Sequence, residues 1–201
     1  MANTTWNPAD LTLVTLTGSN LIATVGAGSG GVRSTASLNS GKYYWENTWT
    51  ISSNAISSGI ALASASITAP TTGWARIQRT TGNITINNVN TGVSISGGSA
   101  VPNSSVICVA VDFTAQLIWF RVGAAGNWNG NSSNNPATAV GGQSIASITG
   151  ALFAGMSGQS GDIVTGNFGN SAFTGATPAG FTAGFPVIVA STTQSRAMIL
   201  A

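Results

Sequence analysis

The chain has 201 residues, 43% of them hydrophobic, enough for one domain with a sizeable buried core. Only 5% are charged, against roughly 25% in an average globular protein; there are six Lys and Arg, four Asp and Glu, and no His. That balance excludes a disordered chain, which needs low hydrophobicity and high net charge, and the scattered cations (Arg33, Lys42, Arg76, Arg79, Arg121, Arg196) do not form the basic footprint of a nucleic-acid binder.

In chain order, "MANTTWNPAD" shows neither a basic n-region nor an apolar h-region, so no secretory signal is expected. No run approaches the roughly 18 apolar residues of a membrane span, and no membrane insertion is expected. Helical periodicity is almost absent. Short β-rich runs alternate with Gly, Ser and Asn clusters. Strands are predicted over 10–17, 20–26, 42–51, 58–64, 73–80, 82–88, 104–113, 116–123, 150–158, 162–169 and 184–191. This pattern implies an all-β fold, a two-sheet antiparallel β-sandwich with N- and C-terminal extensions. Gly26, Gly28 and Gly31 stand at GxGxxG spacing, but a turn and a strand follow instead of a helix, so the segment reads as an inter-strand loop.

Alternation assigns faces. In "KYYWENTWTI", Tyr43, Trp45, Asn47, Trp49 and Ile51 share a face directed at the core, and Tyr44, Glu46, Thr48 and Thr50 share the other. "SSVICVAVDF" is apolar on both faces over most of its length, so this strand is central and covered on both sides, with Cys108 a buried thiol. Arg76 and Arg79 lie three apart on a strand, hence on opposite faces. Burying one alone is costly, so pairing with Glu46 or Asp112 is expected.

After the hairpin "VDFTAQLIWFRV" comes a long Gly/Asn loop whose only large side chain is Trp128. That Trp either pins the loop to the sandwich or offers a binding platform; Asn127, Trp128, Asn129 and Asn131 are the candidate ligand-binding residues. The segment 187–201 is read as an assembly arm ending in Met198, Ile199 and Leu200, or as a last strand with a frayed end.

Catalysis is hard to build without His, and the four acids (Asp10, Glu46, Asp112, Asp162) are scattered, whereas a glycosidase needs two carboxylates a few ångströms apart. With one Cys and no His, zinc-type sites are excluded. No catalytic residue, metal or cofactor is expected.

Gly41 to Glu46, Gly59 to Ala61, Val109 to Phe113 running into Trp119-Phe120, Asn167 to Gly169, and Pro178 to Phe181 resemble, in order and spacing, the recurring segments of the SPRY (B30.2-like) domain. The match covers roughly residues 35–186. The resemblance implies a concanavalin-like bent β-sandwich without a catalytic centre, used for binding. The opening "TTWNPADLTLVTLTGSNLIAT" followed by "GGVRSTASLNSGKYYWE" is similar to SPRY-type proteins encoded in bacteriophage and prophage genomes, which are placed among virion structural or tail proteins. Asn47 stands where the family usually has Val, and the hairpin lacks the usual Gly at its turn.

The expectation is therefore a single domain over 1–186 with an arm at 187–201. Its function is that of a non-enzymatic phage virion structural protein, a capsid decoration or a tail or fibre host-attachment component, assembled in the bacterial cytoplasm. Its partners are other virion proteins, further copies of itself, and a host surface glycan or protein. The alternative is a free carbohydrate- or protein-binding, lectin-like module.

Overall fold

In the computed structural model, which describes residues 3–50, 53 and 55–187, two antiparallel sheets face each other across an aromatic core. The strands are β1 (Trp6–Thr12), β2 (Val14–Thr17), β3 (Ile22–Val25), β4 (Ser29–Leu38), β5 (Lys42–Thr50), β6 (Ser57–Leu62), β7 (Trp74–Gln78), β8 (Asn83–Ile86) and β9 (Val89–Ser94). They continue with β10 (Val106–Asp112), β11 (Leu117–Val122), β12 (Gln143–Ser144), β13 (Leu152–Gln159), β14 (Ile163–Asn167) and β15 (Thr182–Ala183). One sheet runs β1-β4-β13-β6-β7-β8-β9; the other runs β12-β11-β10-β5-β14-β3-β2, with β15 lying parallel beside β5. No helix among the described residues is long and apolar enough to cross a membrane.

The N-terminal run predicted as one strand is two. Leu13 adopts φ 50 and is 54% exposed, and the chain changes sheets there. Leu11 pairs with Val32 in the first sheet, while Val14 pairs with Val25 in the second. The apolar alternation slips phase at this point, from Leu11 and Leu13 to Val14 and Leu16, which is the mark the break leaves in the sequence.

The first part of the Gly-rich segment, residues 26–28, is the expected loop between β3 and β4, but Gly30 and Gly31 already belong to β4, a ten-residue strand between β1 and β13. Its glycines serve close approach. A Cβ on Gly31 would run into the carbonyl oxygens of Ile67 and Met156, so only Gly lets these backbones close in. β9 was also not predicted; Asn87 and Asn88, at φ 48 and 64, turn the chain into it, the conformation a two-residue hairpin needs. In the β10–β11 hairpin the left-handed position falls on Gln116, at φ 55.

Between the sheets, Trp6 meets Phe168 edge-on at 4.9 Å and Trp45 meets Phe185 at 5.1 Å. Burial of each such side chain contributes about 1.5–3 kcal/mol. Trp45, Asn47 and Trp49 are fully buried on the core face. Asn47 faces its cross-strand partners Ile107 and Gly166, and neither its amide oxygen nor its amide nitrogen finds a hydrogen-bond partner. A buried amide left unpaired on both sides is a net loss. Asn47→Val is therefore expected to raise the unfolding free energy by about 1–3 kcal/mol, read from urea denaturation followed by Trp fluorescence. A loss of stability would mean that the amide is satisfied in solution.

The other face of β5 and β10 is covered as well. Tyr44, Cys108, Ala110 and Trp119 form a second, smaller apolar layer under Trp128, Phe173 and Phe181. Residues 171–184 and the loop after β11 thus act as a third layer on the outside of the second sheet. Of the segment predicted as a last strand, 184–191, only residues up to 187 are described; Thr4 N–H donates to the Phe185 carbonyl there at 2.9 Å. Met198, Ile199 and Leu200 lie outside the described residues.

Candidate functional site

The loop after β11 has its own internal order. Trp128 opens a 3-10 turn, Trp128–Gly130, and is only 8% exposed. Its ring meets Tyr44 edge-on at 6.3 Å, and the Arg121 guanidinium carbon sits 4.3 Å from its centroid. Asn129, at φ 45 and 3% exposed, points its amide back at the edge of β11. Its Oδ1 accepts from Phe120 N–H at 2.8 Å, and its Nδ2 donates to Ile118 O at 3.1 Å and to Gly141 O at 2.9 Å. The side chain thus supplies the edge of β11 with partners that a neighbouring strand would otherwise provide. Trp128 and Asn129 hold the loop down, which is the geometry of a pin. Asn127 and Asn131 are exposed; Asn131 Oδ1 accepts from Ser133 N–H at 2.9 Å.

Each acid is engaged by its own partners. Asp10 takes Arg33 in a two-pronged pair at 2.8 and 3.0 Å. Glu46, 2% exposed, accepts from Tyr44 OH at 2.5 Å, Gly175 N–H at 2.7 Å and Thr174 N–H at 2.9 Å. Asp112 pairs with Lys42 at 3.1 Å and accepts from Ala115 N–H at 2.8 Å. Asp162 accepts from Ser53 N–H, Ser53 Oγ and Gln159 N–H at 2.8, 2.5 and 2.9 Å. The expected pairing of Arg76 with Glu46 or Asp112 is not formed. Both acids sit on the second sheet and are engaged there by nearer groups. No cluster of three or more metal-ligating side chains occurs among the described residues. Cys108 is fully buried, and burial pushes its thiol pKa up, which leaves it a poor nucleophile.

Arg76 occupies a different environment. Its strand neighbours Ala75 and Ile77 belong to the central core, so Arg76 projects from the outer face of the first sheet. It is 7% exposed and lines a cleft of about 290 Å³ with Thr68, Pro70, Gln78, Arg79 and Ser157. Nη2 donates to Pro70 O at 2.9 Å. With its amide turned to bond, Gln78 Oε1 accepts from both terminal nitrogens at 3.0 and 3.1 Å. Nε is buried and meets no acceptor. Every acceptor on this guanidinium is neutral, and burial pulls its pKa below the ordinary Arg value. Arg76 and Arg79, expected on opposite faces of one strand, both line this cleft: β7 ends at Gln78 and Arg79 lies beyond it, and Ser157 reaches the cleft from a distant segment.

No protein-family model matches the chain, and neither does any curated protein. Among solved structures, the SPRY domain of human HERC1 superimposes with a TM-score of 0.62 at 15% identity, covering 83% of this chain and 99% of that one. The PSpry domain of TRIM65 does so with a TM-score of 0.58 at 11% identity, covering 82% and 92%. The likeness is one of fold: the chain is a two-sheet antiparallel sandwich of the SPRY architecture.

Proposed function

We propose that this chain is a non-enzymatic binding module of a bacteriophage particle, displayed as a capsid decoration or as a tail or fibre component. The observation that carries the non-enzymatic part is the engagement of all four acids. Each carboxylate serves its own local set of donors, and with no His in the chain no general acid–base pair is left to do chemistry. The particle assignment rests on the opening segment, whose resemblance is to phage-encoded SPRY-type proteins. That segment is not an appendage: β1 joins the first sheet and β2 and β3 join the second. A surface with few charges also offers little repulsion to assembly with neighbouring virion proteins or with other copies of the chain. In the recognition loop, Asn127 and Asn131 are the exposed members of the proposed ligand-binding set, with Trp128 and Asn129 shaping the loop beneath them.

The test is fractionation. Particles from a producing bacterial culture are banded on a density gradient, washed at high salt and probed for the chain. Co-banding that survives the wash is expected; a chain recovered only in the soluble fraction would overturn the particle assignment.

A further inference from the structure

We propose that the cleft around Arg76 is a carboxylate-binding site that takes the acidic side chain, Asp or Glu, of a protein partner. It stands independently of any association with a phage particle.

Three observations carry it. The first is an uncompensated charge. A guanidinium 7% exposed is held only by the Pro70 carbonyl and the Gln78 amide, and its Nε has no acceptor. A buried cation among neutral groups is costly to the fold, and a carboxylate arriving from outside removes that cost.

The second is the distribution of cations. Arg33 and Lys42 have carboxylate partners, and Arg121 stacks on Trp128. Arg76 and Arg79 both line one cleft, and no Asp or Glu is among its described lining residues. A buried Arg76 held by neutral acceptors at this opening favours an anionic group over a neutral one.

The third is size and shape. At about 290 Å³ the cleft falls at the lower edge of small-molecule sites, which run roughly from 300 to 1,000 Å³. That volume suits one side chain and its flanking backbone. Half-buried Pro70 offers apolar surface for the methylenes of a Glu, and the planar Arg fork matches a carboxylate. Gln78, half-buried and facing both terminal nitrogens, is the neutral group that such a ligand displaces.

The experiment titrates the full chain with N-acetyl-glutamate amide and reads the arginine Nε–H signals by NMR. N-acetyl-glutamine amide serves as the uncharged isostere and glucuronate as the acidic-sugar control. The Glu compound is expected to move the Arg76 Nε–H signal to saturation, with an affinity about tenfold or more above that of the Gln compound, and added salt weakens the response. Arg76→Met abolishes the response. Gln78→Glu, which places a carboxylate on the guanidinium permanently, abolishes it too and raises the melting temperature. No movement up to tens of millimolar, equal movement with the Gln compound, or an undiminished response in folded Gln78→Glu would overturn the proposal. So would a response to glucuronate alone, which would assign the cleft to acidic sugars.

Discussion

Glu46→Ala is expected to lower the unfolding free energy by about 3–5 kcal/mol, among the largest effects of any single substitution in this chain. The carboxylate is 2% exposed and holds four donors: Tyr44 OH on its own strand, the Cys108 thiol on β10, and the Thr174 and Gly175 amides of the segment that covers it. Burial pushes the Tyr44 phenol pKa far up, so that hydroxyl remains a donor throughout the working pH range. Gly175 closes the arrangement. A Cβ there would lie 2.7 Å from Tyr44 Oη, 2.8 Å from Arg121 Nη2 and 3.1 Å from Cys108 Sγ, so any larger residue would push these side chains aside. Removing Glu46 strands two amides and a hydroxyl in a site that water reaches poorly. Urea denaturation reads the loss, and amide hydrogen exchange at Thr174 and Gly175 locates it. Glu46→Gln retains the volume and an acceptor oxygen, and is expected to lose about half as much. An Ala variant within about 0.5 kcal/mol of the parent would mean that Phe173, Phe181 and the β15–β5 pairing hold residues 171–184 without help from the carboxylate.

Glu46 also shows what the amino-acid pattern could and could not convey. Alternation in "KYYWENTWTI" separates Trp45, Asn47 and Trp49 from Tyr44 and Glu46, and the two sets do lie on opposite faces of β5. The pattern carries no information about what covers the second face, because that cover arrives from residues far along the chain. The apolar doubling of "SSVICVAVDF" was the available signal, and β10 is indeed enclosed on both sides. β4 was illegible for the opposite reason. Its pairing depends on the absence of side chains at Gly30 and Gly31, and a missing Cβ reads as a loop until the neighbouring carbonyls are in place. The break at Leu13 was legible in the slip of the apolar alternation from Leu11 and Leu13 to Val14 and Leu16, although the left-handed dihedral that makes it was not. The Arg76 cleft failed on charge. With so few acids, pairing looked economical, yet local donors engage Glu46 and Asp112 on the other sheet and leave Arg76 with neutral acceptors.

Asn129→Ala is the second large effect, an expected loss of about 2–4 kcal/mol. Three buried or part-buried backbone groups lose their partner: Phe120 N–H, Ile118 O and Gly141 O. An Ala at φ 45 also carries a left-handed penalty of about 1 kcal/mol that Asn partly escapes. Asn129→Gly separates the two contributions, since Gly removes the amide without the penalty; it is expected to be less destabilising than Ala by about 1 kcal/mol. Asn127→Ala and Asn131→Ala, at exposed positions, are expected to change stability by less than about 1 kcal/mol. The contrast bears on how the recognition loop is tested. Trp128, packed on Tyr44 and Arg121, shares the anchoring with Asn129. A glycan or protein ligand lost in Trp128→Ala would therefore report collapse of the loop as readily as loss of a contact. Loss in Asn127→Ala or Asn131→Ala, with the unfolding midpoint unchanged, would place the ligand on the loop itself. Retention in both, with loss in Asn129→Gly, would show that the loop's shape is recognised while its exposed amides are not.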